Sequence, residues 1–201
     1  RTQVTRLRSA GDVLREWSNP LEALGWMEAS LRECPHPRSR WVGYLSYDLG
    51  RLFEALPSVA CYDLGLPLFA FSLQDPTSEV VSPPAVSPAL PPRDLISTFD
   101  RAGYMRAVQR AIDYIAAGDI FQVNLSQRFS VECAVEPMGL YQRLQSQSPG
   151  WYAACLDFGE FALVSNSPEL FFRISRDGAT GRRRIITRPI KGTRPNAPGM
   201  E

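Results

Sequence analysis

Lysine is almost missing from this chain: of its 22 basic residues, Lys191 alone is a lysine and the rest are arginines. Histidine is equally scarce, with His36 standing between two prolines in ECPHPRSR. A Ser-His-Asp triad, a His-based zinc site and a Cys-His pair each need a histidine set among partners. His36 offers none of these and reads as an exposed loop residue. The four cysteines (Cys34, Cys61, Cys133, Cys155) are widely spaced and form no CxxC, which reads as reduced, mostly buried thiols of a cytoplasmic protein. No apolar run approaches the roughly 18 residues of a membrane span, and the opening RTQVTRLRSAG has no apolar stretch of the signal-peptide kind. The net charge of +1, with both signs interspersed, leaves no electrostatic footprint for nucleic acid or an anionic membrane. A Gly-rich phosphate loop, a GxSxG elbow and internal repeats are also lacking. Acid–base chemistry therefore falls to carboxylates, to Lys191 or to tyrosines.

What is present is an ordinary globular composition, 44% hydrophobic and 21% charged over 201 residues. That length suits one sizeable core or part of a larger domain. Residues 18–34 predict a helix, with Asn19 as N-cap, Pro20 at the first helical position and Leu21, Leu24, Met27 and Leu31 at helical spacing. WVGYLSY (41–47) and PLFAFSL (67–73) predict strands, and DLGRLFEALP between them a turn into a short helix-like piece. Residues 75–98 hold six prolines and read either as a linker or as a long loop within one domain. The clearest helix follows, with Tyr104, Val108, Ala111, Ile112 and Ile115 in one apolar stripe and Gly118 as its stop.

DIFQVNLSQRFSVEC (119–133) alternates strictly. Phe121, Val123, Leu125, Phe129 and Val131 take one side, and Gln122, Asn124, Ser126 and Arg128 the other, which predicts a strand. Its polar side suits either solvent or a polar ligand cavity. EPMGLYQRLQSQ (136–147) predicts a short helix. WYAACLDF, EFALVSN, ELFFRI and RIIT predict strands, the last two joined across SRDGATGRRR. Strands in succession with helices between them indicate an α+β fold with antiparallel sheets.

Within RRRIITRPIKGTRP (182–195), Pro189 and Gly192-Thr193 predict an extended presentation of Lys191. Arginine keeps its proton near neutral pH, whereas cationic neighbours such as Arg188 and Arg194 favour a neutral, nucleophilic lysine amine. The plainer account is an exposed surface lysine.

Four motifs now stand in order: SYDLGRLFEALP (46–57), AGDIFQVNLSQRF (117–129), SNSPELFF (165–172) and TRPIKGTRP (187–195). Together they resemble the chorismate-utilising enzymes, from about Asn19 onward. The resemblance implies antiparallel β-sheets packed face to face with helices on the outside, here an incomplete copy of the family's domain. Residues 75–98 then become a Pro-rich linker or loop within it. The PIKGT form resembles aminodeoxychorismate synthase component I, whereas the related anthranilate synthase component I chains usually have Ala where this chain has Lys191. The resemblance implies a transferase that aminates chorismate at C4 through a covalent lysine adduct, toward p-aminobenzoate and folate. Lys191 would be the nucleophile and Glu169 the general acid. Without the resemblance, Glu169 reads as a strand-start residue in a salt bridge.

Gly192, Thr193 and Gln122 are implied to bind substrate. Relatives in which a lysine replaces Gln122 activate water there, so Gln122 disfavours ring hydroxylation. Ammonia is implied to come from a glutamine amidotransferase subunit. Mg²⁺ is implied as cofactor, but the family's chains are about twice as long, and their metal ligands fall in the part not matched here; none is nominated. The resemblance also implies a regulatory tryptophan pocket at Trp151, Tyr152 and Ala153. Trp151 departs from the family's Pro there, and both aromatics read more readily as plain core. The alternatives to the aminating enzyme are anthranilate synthase component I and a non-catalytic fragment that binds a partner or tryptophan.

Overall fold

Asn19 opens helix α1 (Pro20–Glu33): its side-chain oxygen accepts the Leu21 N–H at 3.0 Å, and Pro20 sits in the first turn, where no N–H is required. This is seen in a computed structural model that describes residues 4–34, 38–57, 63–74, 94–132 and 134–190. Ahead of α1 lies a hairpin that no periodicity announces, β1 (Thr5–Ser9) and β2 (Asp12–Trp17). Its turn residues, Ala10 and Gly11, both have positive φ, 50° and 93°, as a tight two-residue hairpin turn demands.

β3 (Arg40–Leu45) and β4 (Phe69–Gln74) pair antiparallel without a break, and a 3-10 helix, Tyr47–Leu52, follows β3. β5 (Ile96–Ser97) precedes α2 (Arg101–Ala117), whose N-cap Asp100 accepts the Gly103 N–H. α2 stops at Gly118, which takes the left-handed conformation (φ 82°) open to a residue without a Cβ. Then come β6 (Phe129–Ser130), α3 (Pro137–Gln147), β7 (Ala154–Asp157), β8 (Ala162–Ser165), β9 (Leu170–Arg176) and β10 (Arg183–Arg188). The strands form two-stranded ladders, β1–β2, β3–β4, β5–β6, β7–β8 and β9–β10. The architecture is α+β with short antiparallel sheets, as the succession of strands and helices predicts.

The chain divides into two compact units, residues 1–83 with 154–164, and residues 84–153 with 165–201. The passage at 83/84 falls inside the Pro-rich stretch 75–98, of which residues 75–93 lie outside the described ones. In the first unit, Trp17, Ala23 and Leu49 are buried. Trp17, Trp26 and Trp41 stand in a chain of ring contacts at 5.4 and 6.2 Å, and the Trp41 indole N–H donates to the Met27 carbonyl at 3.1 Å. An indole buries a large apolar area while its one polar atom finds a partner, so this chain of rings is the first unit's core. In the same unit burial raises the Cys155 thiol above its ordinary value, with Asp157 adding to the effect.

The second unit departs from expectation over the alternating segment. Only Phe129–Ser130 joins a ladder there, opposite Ile96–Ser97. Residues 122–128 carry the strand pattern without being a strand, and Phe121 is 92% exposed. Alternation records which side each side chain would take; a strand also needs a neighbour's N–H and C=O groups. Thr98 supplies such groups at Arg128, giving its N–H to the Arg128 carbonyl and accepting the Arg128 N–H on its hydroxyl, but among the described residues no ladder continues through 122–127. The α2 stripe is likewise uncovered, with no residue of the helix buried. Among the described residues no helix is long and apolar enough to cross a membrane.

Candidate active site

The β9–β10 hairpin begins at a tight turn and ends irregularly. At the turn, the Asp177 carboxylate accepts the Thr180 N–H, the Thr180 hydroxyl and the Ala179 N–H. From there Arg176 pairs with Arg183, Ile174 with Ile185 and Arg173 with Ile186; the register then slips, and Leu170 faces Arg188. Across the slip β9 holds one residue more than β10, a bulge at Phe171-Phe172. Consecutive residues of a regular strand point to opposite faces, yet these two rings lie 4.8 Å apart. Thr187 secures the bulge by donating its hydroxyl to the Phe171 carbonyl at 2.7 Å.

Past Arg188 stands Pro189, which has no N–H to extend the ladder. The next donor is the Ile190 N–H, and the Glu169 carboxylate takes it at 3.3 Å. Glu169 is held in turn by Ser167, whose hydroxyl accepts the Glu169 N–H at 3.4 Å and donates to the Glu169 carbonyl at 3.3 Å. Such a hydroxyl-closed turn sets the backbone at the start of a strand.

Asn166, one residue earlier, anchors the segment. Its side-chain oxygen accepts the Gly150 N–H at 3.0 Å and the Gln145 amide at 2.9 Å, and its NH₂ donates to the Ser148 carbonyl at 2.7 Å. The Tyr152 N–H adds a bond to the Ser167 carbonyl at 3.0 Å. A Cβ on residue 150 would stand 2.6 Å from the Asn166 oxygen, so this approach requires glycine.

Ser167, Glu169, Leu170, Phe171 and Thr187 line a recess of about 370 Å³. That volume is in the range of small-molecule sites. Two hydroxyls and a carboxylate face two apolar side chains. A half-buried carboxyl in such a place can accept or deliver a proton at a substrate hydroxyl while its backbone stays fixed. Among the described residues Glu169 makes no salt bridge, so its partner is the Ile190 N–H rather than the cation the bare sequence suggests.

The residue after Ile190 is Lys191. Lys191, Gly192, Thr193 and His36 lie outside the described residues. Gln122 is exposed within the unladdered run 122–128 and is not among the residues lining the recess, so the structure does not bring it to Glu169. Trp151 is 84% exposed rather than in a core, while Tyr152 and Ala153 are half-buried. Ser167 and Thr187 are the polar lining residues that sequence reasoning passes over. Both fall inside quoted motifs, and the signal available was a hydroxyl two residues before the acid and another four before the lysine. Magnesium takes oxygen ligands, commonly one or two carboxylates with water and substrate oxygens. Among the described residues no three His, Cys, Asp or Glu side chains converge.

Residues 5–201 match the family model described as chorismate binding enzyme. Anthranilate synthase component 1 of Thermus thermophilus is 38% identical over 195 residues, covering 80% of this chain and 40% of that protein. Aminodeoxychorismate synthase component 1 of Bacillus subtilis is 28% identical over 233 residues, covering 95% of this chain and 48% of that protein. The chain thus spans about half the length of the curated relatives it matches. Among solved structures, anthranilate synthase component I from Streptococcus pneumoniae superposes with a TM-score of 0.61 at 21% identity, over 88% of this chain and 52% of that one. At that identity the likeness is one of fold.

Proposed function

The chain belongs to the chorismate binding enzymes, and we propose that its chemistry within that family is amination of chorismate at C4. The observation that supports this reading most is the bond between the Glu169 carboxylate and the Ile190 N–H. It ties the candidate acid to the residue that precedes the chain's one lysine.

In the proposed reaction the neutral Lys191 amine attacks C2 of chorismate, the two conjugated ring double bonds each shift by one position, and the C4 hydroxyl departs. Hydroxide is a poor leaving group, so Glu169 delivers a proton and water leaves instead. Ammonia then adds at C4, both double bonds shift back, and the C2–N bond breaks to release the lysine amine with a proton. The product is 4-amino-4-deoxychorismate with its enolpyruvyl ether intact. Dividing one difficult substitution into two easier ones is the gain of covalent catalysis. Gly192, Thr193 and Gln122 are proposed to contact the substrate. A glutamine amidotransferase is proposed to supply ammonia in the cytoplasm, and Mg²⁺ to be held by residues other than the described ones. The product would serve p-aminobenzoate and folate synthesis.

Anthranilate synthesis is the second reading, favoured by the higher identity to the Thermus protein. Incubating the protein with chorismate, an ammonium salt and Mg²⁺ separates the two. The aminating reading expects a product that retains the enolpyruvyl group. Anthranilate fluorescence accompanied by stoichiometric pyruvate would overturn it.

A further inference from the structure

A bulge decides on which face of a hairpin the residues beyond it project. From Arg183–Arg176 to Ile186–Arg173 the β9–β10 ladder is regular, and the next pair is Arg188–Leu170. With the register unbroken, Thr187 would stand opposite Phe172 and Ile190 opposite Glu169. Side chains alternate along a strand, so Glu169, three residues before Phe172, would then project from the face that Thr187 does not use. The extra residue in β9 reverses this. Arg188 and Leu170 are paired, and Thr187 and Glu169 each stand one residue before them, which sets the two side chains on one face. Both line the same recess, with Ser167. The Thr187 hydroxyl is turned to the backbone there: it donates to the Phe171 carbonyl at 2.7 Å, joining the residue opposite the bulge to the bulge itself.

We propose that Thr187 is the positioning residue for Glu169: by holding the Phe171 carbonyl it fixes the bulge, and the bulge turns the Glu169 carboxyl into the recess and onto the Ile190 N–H. The value of this to catalysis rests on the reading of Glu169 as proton donor, since an acid must stand at the departing oxygen before the reaction begins. A hydroxyl is required of the side chain at 187, and the methyl group beside it is not. Serine therefore serves in its place. Valine, which has threonine's shape without a donor, does not.

The test compares Thr187→Val with Thr187→Ser and follows the Ile190 amide by NMR as pH passes through the ionisation of Glu169. Glu169→Gln abolishes that response and so separates it from the titration of Asp177 at the far turn. The proposal expects the response in the parent and in T187S and its loss in T187V, while the ladder amides of residues 173–176 and 183–186 keep their protection from hydrogen exchange. In turnover it expects kcat of T187V to fall about 10²-fold with KM near the parent's, and T187S to restore kcat. A parent without the Ile190 response, or T187V with it, overturns the proposal. So does loss of protection along the whole ladder in T187V, which would make Thr187 a structural residue only. Should the Ile190 response behave as expected while Glu169→Gln turns over as fast as the parent, the bulge lock stands and the reading of Glu169 as acid falls.

Discussion

The Glu169 carboxylate accepts the backbone N–H of Ile190 at 3.3 Å across 21 positions of sequence. The bond stands where Pro189 ends the β9–β10 ladder, so a side chain continues what the backbone can no longer do. A Glu169→Gln variant keeps an oxygen in the same place and therefore keeps this bond, but loses the proton that an acid delivers. The expected outcome is a fall in kcat of about 10²- to 10⁴-fold with little change in KM. Steady-state kinetics alongside far-UV circular dichroism checks it, and an unchanged kcat would remove the acid role.

Lys191 as nucleophile predicts an intermediate that accumulates when ammonia is withheld. Intact-protein mass spectrometry with chorismate alone should then show an added mass equal to chorismate less one water, located at Lys191 by peptide mapping. The adduct is absent in Lys191→Ala. A Lys191→Ala protein that aminates as fast as the parent would show that the lysine is a bystander.

Asn166 makes three side-chain hydrogen bonds, to Gly150, Gln145 and Ser148. At about 1 kcal/mol each, less what water recovers, Asn166→Ala should lower stability by about 2 kcal/mol. Urea denaturation measures it. Because Tyr152 also grips Ser167, the recess should loosen as well, seen as a raised KM rather than a lost kcat. A stability loss below about 0.5 kcal/mol would mean that the anchor lies elsewhere.

The hairpin turn should be acid-sensitive. The Thr180 N–H, then its hydroxyl, then the Ala179 N–H favour the ionised Asp177 carboxylate and lower its pKa. A lowered folded value means that the contribution is complete above the ordinary aspartate value of about 3.9 and is lost as pH falls through the folded one. The Thr180 and Ala179 amides should thus lose their NMR signature of the turn only at pH below that ordinary value. In Asp177→Ala the signature should be absent at every pH.

The helices were legible because their signals are local. Asn19-Pro20 opens α1 and Gly118 closes α2 using atoms a few residues apart. Strand pairs with a partner close in sequence, such as β9 and β10, were legible for the same reason. Residues 122–128 were not: they alternate up to Gln127, but a ladder depends on groups from outside the window being read. Glu169 itself could be named from its motif. Its partner could not, since a backbone N–H carries no side-chain signature. The β1–β2 hairpin escaped notice because its turn uses Ala10 in a conformation that alanine seldom adopts.

The close approach of Gly150 to Asn166 also bears on how this protein can change over generations. A side chain gained at position 150 collides with the Asn166 amide, and a loss at 166 strands the neighbours that amide served. Neither step is easy alone, whereas a shorter residue at 166 makes room for a larger one at 150. Descendants of this chain should inherit the two as a set or replace them as a set.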